Sequence, residues 1–280
     1  MKSPKLRGVA QATLAAATAL VFLSGIAYSR IAEAGPAPRN AVYTAVSMPV
    51  ATDFRAGDPA SDAVTADPHA STRAASTERA LGALSSAVRQ LSHPQALRDA
   101  FVSYFAFSDA HPEKVRKPYL YFVDYGLPST TPRGYVFDMS SLEVVDGPFT
   151  VAHGRGSAPN AEGVPTRFSN TPGAATTSLG LYVAQELYPF RGKAGGRAYR
   201  SIGLRLAGVS SKFNDNARMR GVVAHGAPYV TESRAGRSEG CPAMEPERAE
   251  ELLPKLSNGG LVFLFAPDSG WMANDPWLRG

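Results

Sequence analysis

Cysteine is almost missing from this 280-residue sequence: Cys241 is the only one. A lone thiol cannot close an internal disulfide, so no cross-link of that kind holds the fold. One Cys and scattered His residues also fall short of a zinc ligand set. The leftover thiol has two readings, a reactive group or a small apolar residue inert in the core. Charged residues are sparse at 19%, against 44% hydrophobic, a balance that supports a sizeable core. No internal repeat is visible. The net charge of +5 is less basic than it looks. Lys2, Lys5, Arg7 and Arg30 against Glu33 supply a net +3, leaving about +2 for the remainder. That is no nucleic-acid footprint, which needs a clustered basic face. Mild basicity suits an anionic cell-wall polymer.

The first 34 residues read as a targeting segment. A basic start is followed by an apolar run from Gly8 to Ala27, diluted by Gln11, Thr13, Thr18 and Ser24, and then by Ala32-Glu33-Ala34. This is the pattern of a secretory signal peptide cleaved before Gly35, and it implies a periplasmic or cell-envelope location. The rival reading is an uncleaved anchor, the one route by which the chain would meet a membrane. Residues 35–72, rich in Ala, Pro, Asp, Ser and Thr, read as a flexible linker.

Residues 73–112 read as a helical segment packing on the main domain. Leu81, Leu84, Val88 and Leu91 have helical spacing with Ser76 or Thr77 as cap. A second helix begins near Pro94, carries Leu97, Phe101, Tyr104 and Phe105, and ends at His111-Pro112. From Pro118 the texture turns to strands: 119–125, 135–137, 142–145, 149–152, 202–206, 221–225 and 261–265, with turn residues between them. One further helix is predicted from Pro246, with Leu252, Leu253 and Leu256 inward and Gly259 beyond its end. The expectation is a mainly β, mostly antiparallel domain over 113–270 with a few helices, then a C-terminal tail over 271–280.

The chemistry concentrates late in the chain. An apolar strand ends at His225, and Cys241 follows sixteen positions later after Gly240, just before the predicted helix. A thiol needs a neighbouring imidazole or a helix N-terminus to ionise near neutral pH. Gly240 leaves room for a substrate carbonyl, and backbone N–H groups around Gly240 and Cys241 are suited to hold an oxyanion.

The segments 222–230, Val-Val-Ala-His-Gly-Ala-Pro-Tyr-Val, and 236–243, Gly-Arg-Ser-Glu-Gly-Cys-Pro-Ala, resemble the L,D-transpeptidase (YkuD-type) catalytic domain family, in its branch with Pro-Ala after the cysteine. His153-Gly154-Arg155-Gly156-Ser157, Phe168-Ser169-Asn170, Ser178-Leu179-Gly180 and Asn214 with Ala217 and Arg218 extend the likeness across about 118–266. The resemblance implies a YkuD-like antiparallel β-sandwich or barrel. It also implies cofactor-free, metal-free acyl transfer on peptidoglycan stem peptides, with Cys241 as nucleophile, His225 as base, Ser238 helping to orient the histidine and Gly240 as the motif glycine. Candidate substrate contacts are Gly226, Tyr229, Arg237, Glu239, His153, Ser169 and Asn170. His153 also reads as a structural histidine, Ser169-Asn170 as a turn, and Arg218 and Arg220 as loop braces. The chain departs from the better-known branch, which has His where Glu239 stands and an apolar-Arg pair where Pro242-Ala243 stand; a cation for a peptide carboxylate is thereby lost, and Arg237 is its candidate substitute. L,D-carboxypeptidase activity and an inactive wall-binding module are the alternatives.

Overall fold

The computed structural model describes residues 67–279, so the targeting segment and nearly all of the linker lie outside the described residues. No described helix is long and apolar enough to cross a membrane. In chain order the helices are α1 (Ala70–Leu84), α2 (Ala96–Ala110), α3 (Pro246–Leu256) and α4 (Ser269–Asn274). The strands are β1 (Tyr119–Asp124), β2 (Gly134–Asp138), β3 (Glu143–Phe149), β4 (His153–Gly154), β5 (Gly180–Ala194), β6 (Arg197–Gly208), β7 (Val223–Gly226), β8 (Val230–Thr231), β9 (Arg234–Ala235), β10 (Arg237–Ser238), β11 (Ala243–Met244) and β12 (Leu261–Phe265).

The domain is mainly β, as expected, and its principal sheet is mixed. Eight strands run in the order β11-β7-β6-β5-β12-β1-β2-β3. Two pairs are parallel, β1 with β12 and β7 with β11; the others are antiparallel. An isolated antiparallel bridge, with Ala152 N–H donating to Ala243 O at 2.8 Å, ties the chain leaving β3 to β11 and so joins the two edges of the sheet. Unpaired edge strands are a liability that such closure removes. The central strands β1 and β12 are buried along almost their whole length, which matches their unbroken apolar sequences.

The helices cover the sheet. Leu252, Leu253 and Leu256 of α3 are fully buried, and Pro246 occupies the first turn, where its missing N–H costs nothing. Phe101 of α2 packs edge-on against Phe137 of β2, with ring centroids 5.7 Å apart. Three features differ from the sequence expectations. First, α1 starts at Ala70 rather than at a Ser76 or Thr77 cap, and Thr77 is buried inside it; a 3-10 turn over 85–87 ends the helical run before Val88. Second, 149–152 is not a continuous strand. Third, residues 271–279 of the segment read as a C-terminal tail pack on the domain. Trp271 is buried with Nε1 donating to Asp275 at 2.7 Å, and Trp277 Nε1 donates to Val209 O at 2.8 Å. The aromatic rings give these residues enough apolar area to dock.

The longest strands are β5, which the sequence concealed, and β6, of which it showed only 202–206. β5 and β6 form a hairpin around Gly195-Gly196, whose φ of +56° and +80° give the left-handed pair that a tight two-residue turn demands. Its base lies in the sheet. Beyond Gly203 the two strands pair only with each other among the described residues and project as an arm.

Candidate functional site

β7 delivers His225 into a cleft of about 320 Å³ that Cys241 also lines, together with Phe190, Arg191, Gly192, Lys193 and Tyr199 from the hairpin, and Tyr229, Arg237, Ser238 and Glu239. Parallel pairing sets the arrangement: His225 lies opposite Ala243 of β11, so the chain two residues earlier, at Cys241, comes to the cleft mouth.

His225 is buried, and its ring stacks on Phe190 with centroids 4.1 Å apart. Nδ1 lies 3.0 Å from the carbonyl oxygen of Gly226. A carbonyl only accepts, so Nδ1 carries the hydrogen and Nε2 the free lone pair. Burial pulls the imidazole pKa from 6.5 down to about 4, partly offset by that hydrogen bond. The ring is therefore neutral at physiological pH, with Nε2 as a base. Gly226, proposed from the sequence as a substrate contact, serves here through its oxygen.

Cys241 is half-buried, and the protein around its sulfur pushes the thiol above its ordinary range; the Val223 backbone and the Arg220 charge pull it back, while Glu239 pushes it further up. Sγ contacts Gly221 O at 4.0 Å and has no hydrogen bond to the imidazole. The thiol does not adjoin a helix N-terminus either: β11 and Glu245 stand between it and α3.

The loop before the thiol is tightly specified. Gly240 has φ +126°, and a Cβ there would stand 2.6 Å from Thr176 O. Its N–H donates to Ser238 Oγ at 3.1 Å, and Ser238 Oγ donates to Cys241 O at 2.7 Å. Ser238 thus staples the Gly240–Cys241 turn; it does not orient the histidine, as the resemblance implied. Gly240 N–H is committed to that staple and is not a free oxyanion donor.

The remaining sequence candidates divide. Tyr229 and Arg237 line the cleft. Glu239 is there too, but its carboxylate accepts from Arg155 Nε at 2.7 and 2.9 Å. The β4–β10 register, Arg237 beside His153 and Ser238 beside Gly154, puts these two residues next in line. His153 does not line the cleft. It is fully buried, with Nδ1 3.0 Å from Nη2 of the equally buried Arg133, and burial followed by that positive charge lowers its pKa to about 4. Ser169 and Asn170 are also elsewhere, on a separate cavity with Phe213 and Trp271. Asn170 Oδ1 accepts from Asn216 N–H at 3.1 Å, and Ser169 Oγ caps a turn at Thr171 N–H at 3.0 Å. Both hold loops, and neither lines the cleft at Cys241.

Sequence reasoning missed Phe190, Tyr199 and Arg155 and took Arg220 for a brace alone. Arg220 does brace: it donates to Ser169 O at 2.8 Å, Ser178 Oγ at 3.1 Å and Thr176 O at 2.7 Å. It also stands behind the Gly240–Cys241 turn, Nη2 lying 3.7 Å from where a Gly240 Cβ would be.

A mainly β domain with a thiol and a neutral imidazole facing one cleft is the class that fold and site define. The sequence model of the L,D-transpeptidase catalytic domain matches residues 89–265, and the chain belongs to that family. The match takes in α2, which the sequence boundaries had set apart from the catalytic domain. Among solved structures, the chain is similar to an L,D-transpeptidase from Mycobacterium smegmatis, with 16% identity and a TM-score of 0.33 over 53% of this chain and 59% of that one. It is also similar to the Ldtfm-avibactam carbamoyl enzyme, with 13% identity and a TM-score of 0.32 over 54% and 50% of the two chains. The chain thus spans 59% and 50% of the lengths of these two structures. No curated protein matches it.

Proposed function

We propose that the protein is an exported peptidoglycan L,D-transpeptidase working through a Cys241 acyl-enzyme in the periplasm or cell envelope. The observation that carries this reading is the shared cleft: the one thiol of the chain and an imidazole of fixed tautomer line it together, in a member of the L,D-transpeptidase family. Both groups rest neutral. As Sγ attacks the stem-peptide carbonyl, its proton passes to His225 Nε2, a C–S bond forms, and the carbonyl oxygen takes the negative charge. Collapse breaks the C–N bond, and the imidazolium returns the proton to the leaving amine. An amine from a second stem then attacks the thioester, giving its proton to Nε2 and restoring the thiol. With Gly240 N–H engaged and Pro242 lacking one, the Cys241 N–H is the amide left in this turn to donate to the oxyanion.

Incubation with tetrapeptide-bearing wall fragments, followed by mass spectrometry, tests the reading. The expected results are a Cys241-linked tripeptide adduct and cross-linked dimers, both lost in Cys241→Ala. Tripeptide products without dimers would replace transfer by hydrolysis, the carboxypeptidase alternative. Absence of any adduct or product would refute the enzymatic reading in favour of a wall-binding module.

A further inference from the structure

The hairpin arm carries a charge pattern that the acyl-transfer chemistry does not use. Between Glu186 and Asp215 there is no acidic residue, while Arg191, Lys193, Arg197, Arg200, Arg205 and Lys212 are all basic. Arg191, Lys193, Arg197 and Arg200 are exposed on the arm. Among the described residues none of these four has a carboxylate within ion-pair distance, whereas Arg205, nearer the base, pairs with Glu186 at 3.1 Å.

Register decides how the charges are arranged. Arg191 lies directly opposite Arg200, Gly192 opposite Tyr199, and Lys193 opposite Ala198. Side chains alternate between faces along a strand, and directly opposed residues share a face. Arg191, Lys193 and Arg200 therefore share one face. Phe190, Gly192 and Tyr199 share the other, which is the cleft face because Phe190 stacks on His225. Like charges directly opposite each other destabilise a strand pair. The arm keeps such a pair on a two-stranded segment with no acidic neighbour to relieve it, and an anionic ligand would supply that relief.

We propose that this outward face of the β5–β6 arm is a docking surface for the free carboxylates of peptidoglycan stem peptides, holding a neighbouring wall strand while its partner occupies the cleft. The proposal rests on the reading of the protein as an L,D-transpeptidase, and it deepens that reading by assigning a second, non-catalytic contact with the wall. Continuity favours stem carboxylates over other anions: Arg191 and Lys193 of the cationic face also line the cleft that holds Cys241 and His225, so a polymer occupying one reaches the other.

The test is co-sedimentation of the full chain with purified insoluble peptidoglycan, untreated and with its stem carboxylates amidated. Arg200→Glu sets a carboxylate against Arg191, a pairing that sheets favour, so its melting temperature should hold or rise. Its affinity for untreated wall should fall about tenfold, the scale for loss of a few exposed ion pairs. Arg200→Lys should retain binding. Wild-type binding should weaken with added salt and on amidated wall. Undiminished binding by Arg200→Glu, or equal wild-type binding to amidated wall, would overturn the proposal. Cys241→Ala removes turnover but not the arm, so binding by that variant separates failure of this proposal from failure of the enzymatic reading.

Discussion

Burial of His225 gives the fold a pH dependence of calculable size. Its pKa is about 4 in the folded protein against an ordinary 6.5. Between those values the unfolded chain binds a proton that the folded site refuses. Its contribution to stability is therefore complete above 6.5 and is lost as pH falls towards 4. At ~1.4 kcal/mol per pKa unit, the full effect is about 3 kcal/mol, of which ~2 kcal/mol is lost between about pH 7.5 and about pH 5. Other groups titrate in the same window. His153, also near 4, adds a second loss; Asp99, raised to about 6 by burial, acts in the opposite sense, because its folded form takes up a proton first as pH falls. The wild-type curve alone thus does not isolate His225, and the informative perturbation is His225→Gln. Urea unfolding of both proteins at the two pH values should show the wild type losing ~2 kcal/mol more than the variant over that interval. The variant loses packing on Phe190 at every pH, and the comparison of slopes cancels that. Equal losses would refute the argument: the imidazole would then be open to protons, and an imidazolium–thiolate pair would become available as the resting state.

Gly240→Ala forces a left-handed φ on a residue with a Cβ and drives that Cβ into Thr176 O; a cost of about 2–4 kcal/mol and a melting temperature lower by about 5–12 °C are expected by calorimetry. Arg220→Gln removes a positive charge that favours the thiolate, so the pH midpoint of Cys241 alkylation by iodoacetamide should rise, and Arg220→Lys should restore part of the shift; an unmoved midpoint in Arg220→Gln would reduce the residue to a brace. Glu239→Gln frees Arg155 and removes a negative charge near the sulfur, so alkylation should move to lower pH with the melting temperature unchanged, since both partners are solvated.

What the sequence made legible was whatever local pattern controls. The runs 119–125 and 261–265 are apolar enough to be central strands. Pro246 and the Leu252, Leu253, Leu256 spacing define a helix without help from the rest of the fold. Cys241 and His225 were readable as a pair because a lone thiol after glycine and a strand-ending histidine are each unusual. The arm was not read, although Gly195-Gly196 is a hairpin signal. Pro189, Gly192 and four basic residues break the apolar alternation that identifies a strand, because the arm is solvated and has no core face to keep apolar. The same omission hid Phe190 and Tyr199, and with them the clustered basic face that whole-chain charge counting had averaged away. Ser238, and the site role left open for His153 beside its structural reading, turned on something else. Sequence shows that a polar residue is present, but only the tertiary neighbours decide whether it is spent on Arg133, as His153 is, or on the turn between Gly240 and Cys241, as Ser238 is.

The two reactive groups are shifted in opposite directions by the same cause. Desolvation disfavours charge, so it raises the thiol and lowers the imidazole, and the two shifts add in opposing an ion pair at rest. In the unliganded cleft Cys241 is therefore a guarded thiol. Arg220, Ser238 and Gly240 act through position, fixing the turn that carries the sulfur and placing one positive charge behind it. Sγ contacts Gly221 O and has no hydrogen bond to the imidazole, and catalytic hydrogen bonds commonly tighten only once substrate is bound. On the proposed function, reactivity then follows arrival of the stem peptide, whose carbonyl accepts the electron pair while Nε2 accepts the proton. This order suits a thiol without a disulfide partner, because a resting thiolate would be exposed to oxidation between turnovers.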